Sequence, residues 1–528
     1  MDALAATDRY VRTAGAAQVN TARRPGCWGA LLGSAAVVMC ALTVVEGVCR
    51  ELDGYVLAAT RLRPSTVRLD AGTAGAADVP YMRETAIAHG VSRDWYDERP
   101  PAAPRIPLTP ELQQRARRYP NDLFAPFFEW NLAFLQDQVC RNSRDVTMGS
   151  VRDFYYFESL DGSPFPTFRH LRHISPPFWF VTNAFGWRGP EVVLNKPPDT
   201  VRIAFVGAST TIDNYSVPFS HPEMVGYWLN RWAEANGRPY RFDVINAGRT
   251  GINSHSIAAI VTQELLPVAP DLVVFYEGAN QFWPHKAVTV HATGAQPASR
   301  EIGGARTLAA AYSALGRRIF HLLDRAQAGD GREPRKPPST IDWPSDVDEA
   351  DPAVDSPHLP MDLPAVVRDL DTMRQALAAV KAELVIASFV WMVHDGMTLD
   401  VDRDLTLYEY LNRSYWPITY AEMHRLAVFQ NRVFENYARV HRLPFIDIAS
   451  EYPVDPSLAG DAIHLRYPGL ALQAWMFLQH LIPIVEQRVA DGRLPARSPA
   501  AHDVHPAFNQ PSLRAIGLDE LRARCPQP

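Results

Sequence analysis

Cysteine is scarce in this chain, its charge is nearly balanced, and it has no phosphate-binding loop. There are five cysteines in 528 residues. Cys27 and Cys40 fall in one apolar stretch and Cys49 just after it, which excludes a dense disulfide framework. Only Cys140 and Cys525 remain to pair in an exported domain. A net charge of −6 gives no basic footprint for nucleic acid. No G-x-x-x-x-G-K-[ST] pattern occurs, so the turns described below are not P-loops. Charge is also missing from Cys27 to Val45, a run that covers about 28 Å at helical rise, close to a bilayer core. Arg23 and Arg24 precede it and Glu46 follows. The positive-inside tendency then places residues 1–24 in the cytoplasm and the large domain outside. A cleaved signal peptide is the competing reading, but Val45-Glu46-Gly47 is a poor cleavage site. A buried soluble helix fits less well with a segment that is apolar all round.

Four short segments carry most of the chemistry: Gly207-Ala208-Ser209-Thr210-Thr211, Asn246-Ala247-Gly248-Arg249-Thr250-Gly251, Gly278-Ala279-Asn280 and Asp461-Ala462-Ile463-His464. Each of the first three follows a β-prone run: Val201 to Val206, Tyr240 to Ile245, and Asp271 to Tyr276. Such runs read as buried parallel strands, whose C-terminal ends share one edge where open α/β sheets bind ligands. A helix is expected from near His221 towards Glu234. Ser209 therefore meets the other two turns although they are distant in sequence. The plain alternative for Ser209 is a βα turn whose hydroxyls satisfy loop backbone, and for Asn280 a turn-forming amide. The chemical reading uses Asn280 as a neutral donor towards developing negative charge, and Gly251 as a point of close approach or positive φ.

Asp461 and His464 lie three residues apart, after the strand Pro444 to Ile448 and ahead of a helix bearing Ala471, Trp475, Leu478 and Ile482. In a turn, that spacing lets the carboxylate accept from one imidazole nitrogen and leaves the other to take a proton from a serine. An N-cap beside a surface histidine is the bland alternative. No third ligand lies nearby, so neither a metal nor any other cofactor is expected.

Taken together, these segments resemble the SGNH hydrolases, also called the GDSL esterase/lipase superfamily. The resemblance covers roughly residues 183–285 and 363–485. It implies a flavodoxin-like α/β fold of three layers around a central parallel sheet. It also implies Ser209 as nucleophile, His464 as base and Asp461 as its orienting partner, with the Ser209 and Gly251 amides and the Asn280 side chain as the oxyanion hole. Residues 183–191, Asn-Ala-Phe-Gly-Trp-Arg-Gly-Pro-Glu, resemble the lead-in of a bacterial subgroup with a membrane-attached N-terminus. Two departures stand out: the G-D-S motif is Gly207-Ala208-Ser209, and the Asp that often follows the third-block Asn is Gln281.

The expected organisation is a cytoplasmic tail (1–24), a transmembrane anchor (25–48) and a linker with an aromatic-rich accessory region (49–182). The hydrolase domain (183–491) follows, with a flexible insertion at about 286–360, and then a C-terminal tail (492–528). The aromatics of the accessory region, among them Phe124, Phe127, Trp130, Phe134, Phe178 and Trp179, suit core packing better than sugar stacking. Stripes at Val366, Leu370, Met373, Leu377 and Val380, and at Leu426, Phe429, Val433, Tyr437 and Val440, are expected to be core helices. The expected function is hydrolysis of carboxylic esters through an acyl-enzyme at the outer face of a bacterial inner membrane. The substrate would be a small ester or a glycan, with deacetylation of cell-envelope carbohydrate as its narrower form. An O-acyltransferase using the same serine, and a non-catalytic binding protein on the same scaffold, are the alternatives.

Overall fold

The uncharged run near the N-terminus lies within one helix, α1 (Gly26–Leu52), in a computed structural model of the chain. The structure describes residues 26–52, 87–118, 127–131, 153–158, 169–176, 180–213, 217–292, 312–319, 335–399, 404–495 and 512–517, with 57, 294, 296 and 322. Cys140, Cys525, Phe124, Phe134, Phe178 and Trp179 lie outside them. Two units separate: residues 1–65 with 303–320, and residues 66–302 with 321–528. In the first, Val37, Val38, Met39, Leu42 and Val44 of α1 are exposed. At its far end the Glu46 carboxylate accepts from Ser313 Oγ and from the amides of Ala314 and Leu315, each at 2.8 to 2.9 Å. Arg50 donates to it at 2.7 Å.

The second unit is built on five parallel strands rich in Val, Ile and Phe: β1 (Thr200–Gly207), β2 (Arg241–Asn246), β3 (Leu272–Tyr276), β4 (Glu383–Ala387) and β5 (Phe445–Ile446). Their order is β5-β4-β3-β1-β2. That is the flavodoxin-like order, with its switch point beside β1. Every residue of β1 and β3 is buried, as expected of central parallel strands covered on both faces.

Helices close both faces. α2 (His221–Ala235) starts with a capping box, in which the Ser220 hydroxyl meets the Glu223 amide and the Glu223 carboxylate returns to Ser220. α3 (Leu363–Ala379) and α4 (Tyr420–His441) carry the expected stripes; α4 has a second capping box, from Thr419 and Glu422. Val380 caps α3 and is only partly buried, and Val440 is exposed on α4, so the buried stripes end at Leu377 and Tyr437, each without its last expected member. α5 (Tyr467–Ala490) packs on α2, and α3 packs on α4 and on the short helix Ser254–Ala259. By length and composition alone, α5 is long and apolar enough to cross a membrane. Its Trp475, Phe477, Leu478 and Ile482 are wholly buried, so its apolarity is that of a core helix.

Outside the main sheet, the stretch expected as a C-terminal tail supplies a strand, Ser512–Gly517, antiparallel to Asp153–Glu158. The insertion contains a β-ladder, Val288–Val290 with Ser339–Ile341. Phe127 is buried with Leu171 and Ile174, and Phe180 joins the main core. These two accessory aromatics therefore pack as core side chains.

Candidate active site

β1 ends at Gly207, and the chain turns through Ala208 into a single helical turn, Ser209–Ile212. A Cβ at position 207 would sit 2.0 Å from Thr211 Oγ1 and 2.1 Å from Tyr276 O, so only glycine lets the turn close against β3. Thr211 Oγ1 donates to Tyr276 O at 2.8 Å and fixes the turn from the other side. The result is a serine at the C-terminal edge of the sheet, on a short rigid support.

The Asp-x-x-His segment is a self-contained turn. Asp461 Oδ1 accepts from the amides of Ile463 (2.9 Å) and His464 (2.8 Å), while Oδ2 meets His464 Nδ1 at 2.8 Å. The two carboxylate oxygens thus divide their work, one shaping the loop and the other orienting the ring. Met392 N donates to Ala462 O at 2.8 Å and ties this loop to the segment after β4. His464 Nε2 then lies 2.8 Å from Ser209 Oγ across a sequence gap of 255 residues. The structure brings Ser209, His464 and Asp461 into one hydrogen-bonded line.

Burial disfavours the imidazolium, but the Asp461 hydrogen bond and the negative charges of Asp461, Asp213 and Glu277 outweigh it and raise the His464 pKa above its usual value. Burial likewise pushes Asp461 up, and the hydrogen bond and charge of His464, with two backbone amides, bring it below the ordinary carboxylate range. The pair is therefore arranged for a proton to rest on the imidazole beside an ionised carboxylate.

Gly251 and Asn280 occupy the neighbouring turns. Gly251 has φ +73° with open space around its α-carbon, so its glycine is required by backbone conformation and not by crowding. Asn280 Nδ2 donates to Ile252 O at 2.7 Å, which joins the two turns directly. A primary amide carries two N–H donors, so a second remains for a developing oxyanion.

Two carboxylates at this edge escaped the sequence reading. Asp213 follows the Ser209 turn at φ +64°, and its Oδ2 accepts from the His221 amide at 2.5 Å and lies 2.9 Å from His221 Nδ1. The buried His221 ring stacks on Phe477. Glu277, wholly enclosed, accepts from Ala208, Ala279 and Asn280 amides. Neither residue stands in a periodic pattern, and the only available signal was position, directly after a strand or directly after the serine turn.

Ser209 and His464 open onto a small pocket lined also by Thr210, Tyr276, Ile463, Leu465 and Gln473. Larger pockets of about 410 and 500 Å³ lie on the flanks of the sheet and contain none of the triad.

No family model and no curated protein matches the sequence. Solved structures similar to it include a GDSL-like lipase from Bacteroides thetaiotaomicron VPI-5482, at 13% identity over 54% of this chain and 88% of that one, with a TM-score of 0.26. A lipase/acylhydrolase from Enterococcus faecalis is 18% identical over 57% of this chain and 100% of that one, with a TM-score of 0.28. The chain is similar also to a variant of an acetyl-xylooligosaccharide esterase from Geobacillus, at 13% identity over 53% of this chain and 94% of that one, with a TM-score of 0.30.

Proposed function

We propose that the chain is an SGNH-type serine hydrolase that cleaves carboxylic esters through an acyl-enzyme. One observation carries the reading: the unbroken relay from Ser209 Oγ to His464 Nε2 and from His464 Nδ1 to Asp461 Oδ2, each step 2.8 Å. In this mechanism Ser209 attacks the ester carbonyl while His464 takes its proton. Asp461 stabilises the imidazolium, which then protonates the leaving alcohol. The Ser209 and Gly251 amides and the Asn280 side chain hold the tetrahedral oxyanion. Water, deprotonated by His464, releases the acid.

α1 is proposed as a membrane anchor because its exposed Val37, Val38, Met39, Leu42 and Val44 call for an apolar surrounding, with residues 1–24 cytoplasmic and the catalytic domain periplasmic or extracellular by the positive-inside tendency. The narrower form of the proposal, deacetylation of cell-envelope carbohydrate, rests on that placement.

The test is labelling of the full chain in detergent with a fluorophosphonate probe. Wild type is expected to label and Ser209→Ala and His464→Ala are not. Folded wild-type protein that never labels would leave a binding role instead. Acetate release from an acetylated polymer, against acetyl transfer onto it, then separates hydrolase from acyltransferase.

A further inference from the structure

Glu277 is the first residue after β3, and it is 3% exposed. Its two oxygens face different turns. Oε2 accepts from the Ala208 amide at 3.2 Å, at the entrance to the nucleophile turn. Oε1 accepts from the amides of Ala279 and Asn280, both at 2.8 Å, in the turn that carries the oxyanion-hole side chain. Residue 208 has no carboxylate of its own, so this one reaches its amide from the neighbouring strand. We infer that Glu277 is a positioning residue which, as a carboxylate, clamps the nucleophile turn to the Asn280 turn and thereby sets the oxyanion hole against Ser209. The inference rests on the hydrolase reading for its catalytic consequence, but the clamp itself is a matter of hydrogen bonding.

The three donors are all backbone N–H groups, and an ionised carboxylate accepts from every one of them without presenting a donor of its own. A protonated Glu277 would present an O–H to a turn that offers donors. Burial raises the Glu277 pKa to about 7, even though the amides of Asn280, Ala279, Ala208 and Gly278 pull it down. The clamp therefore loosens as pH falls through neutrality. The titratable groups that face Glu277 are His464 from the Asp-x-x-His loop, Tyr410 from the segment ahead of α4, and Tyr276 on its own strand. His464 must lose a proton to act as base, and Glu277 must lose one to hold the turns. Both protons leave in the same direction of pH.

The experiment follows the rate of fluorophosphonate labelling of the full chain from pH 5 to 9, in wild type and in Glu277→Gln. The wild-type acid limb is expected to steepen above a slope of one, towards two, in log rate against pH, since Glu277 ionises as well as His464. In Glu277→Gln the slope falls to one. The midpoint moves down because the negative charge that raises the His464 pKa is gone. Its plateau falls about tenfold or more, a fraction of the loss seen when an oxyanion donor is removed outright. A wild-type slope of one, or a slope above one retained in Glu277→Gln, overturns the inference. Should the variant fail to fold, the wild-type slope still decides.

Hydrogen exchange separates this inference from the hydrolase reading. At pH 8 the peptide spanning residues 205–212 should exchange about tenfold faster in Glu277→Gln, because the new side-chain N–H₂ opposes the Ala208 N–H, donor against donor. Unchanged exchange there overturns the clamp even if Ser209 labels. Absent labelling with accelerated exchange would remove the hydrolase reading and leave the clamp standing.

Discussion

Asn280 Nδ2 donates to the carbonyl of Ile252 at 2.7 Å, so the turn after β3 is bonded to the turn after β2 next to Gly251. One amide thereby holds the position of its own side chain and of the neighbouring backbone. Asn280→Ala should remove both effects. Its kcat on a short-chain ester is expected to fall about 10²- to 10³-fold, the cost of one oxyanion donor, with KM little changed. A large rise in KM at constant kcat would place Asn280 in ground-state binding instead.

The pH dependence follows from the sign of the His464 shift. Its pKa is raised, so the imidazolium persists above the usual histidine value, and only the neutral ring can accept the Ser209 proton. The midpoint of the acid limb of kcat/KM should therefore lie above pH 6.5, the usual histidine value. Asp461→Asn removes the hydrogen-bond acceptor and the charge that raise the shift, while burial still lowers it. The midpoint should move down and the plateau fall about 10⁴-fold. An unmoved midpoint would mean that Asp461 does not govern the ring.

Gly251 tests backbone conformation in isolation. A Cβ there meets nothing within 4 Å, so Gly251→Ala costs only what positive φ costs an L-residue, about 1 to 2 kcal/mol. Chemical denaturation should register that small loss. If the Gly251 amide serves the oxyanion, kcat should fall by more than the stability change suggests, because relief of the strain rotates the N–H away.

The strands and the Asp461–His464 turn were legible because both rest on local signals. Val201 to Val206 announces a buried strand by composition, and Asp461 with His464 closes a turn within four residues. Glu277 and Asp213 were not legible, since a single carboxylate after a strand or a serine looks like any loop residue. Their meaning comes from amides and rings contributed by other segments. Pairing of Ser512–Gly517 with Asp153–Glu158 was hidden for the same reason, as strand partners hundreds of residues apart leave no periodic trace. The grouping of residues 303–320 with α1 through Glu46 is another long-range contact of this kind.

Arg249 and Glu264 form an ion pair whose side chains are 1% and 0% exposed. The Arg249 guanidinium and Trp187 Nε1 both donate to Glu264 Oε2, the latter at 3.2 Å. Arg249 belongs to the same turn as Gly251, so this pair anchors the second block from below. Removing one partner of a buried pair strands the other charge, which typically costs about 3 to 5 kcal/mol, whereas removing both is often near neutral. Arg249→Met should therefore destabilise by roughly that amount in urea denaturation. Adding Glu264→Gln should recover most of the loss, because the amide oxygen still accepts from Trp187 and no charge remains buried. If the double variant is as unstable as the single one, packing of the guanidinium stem, and not charge, holds the turn. If both variants match wild type, neither the pair nor its packing contributes measurably to stability.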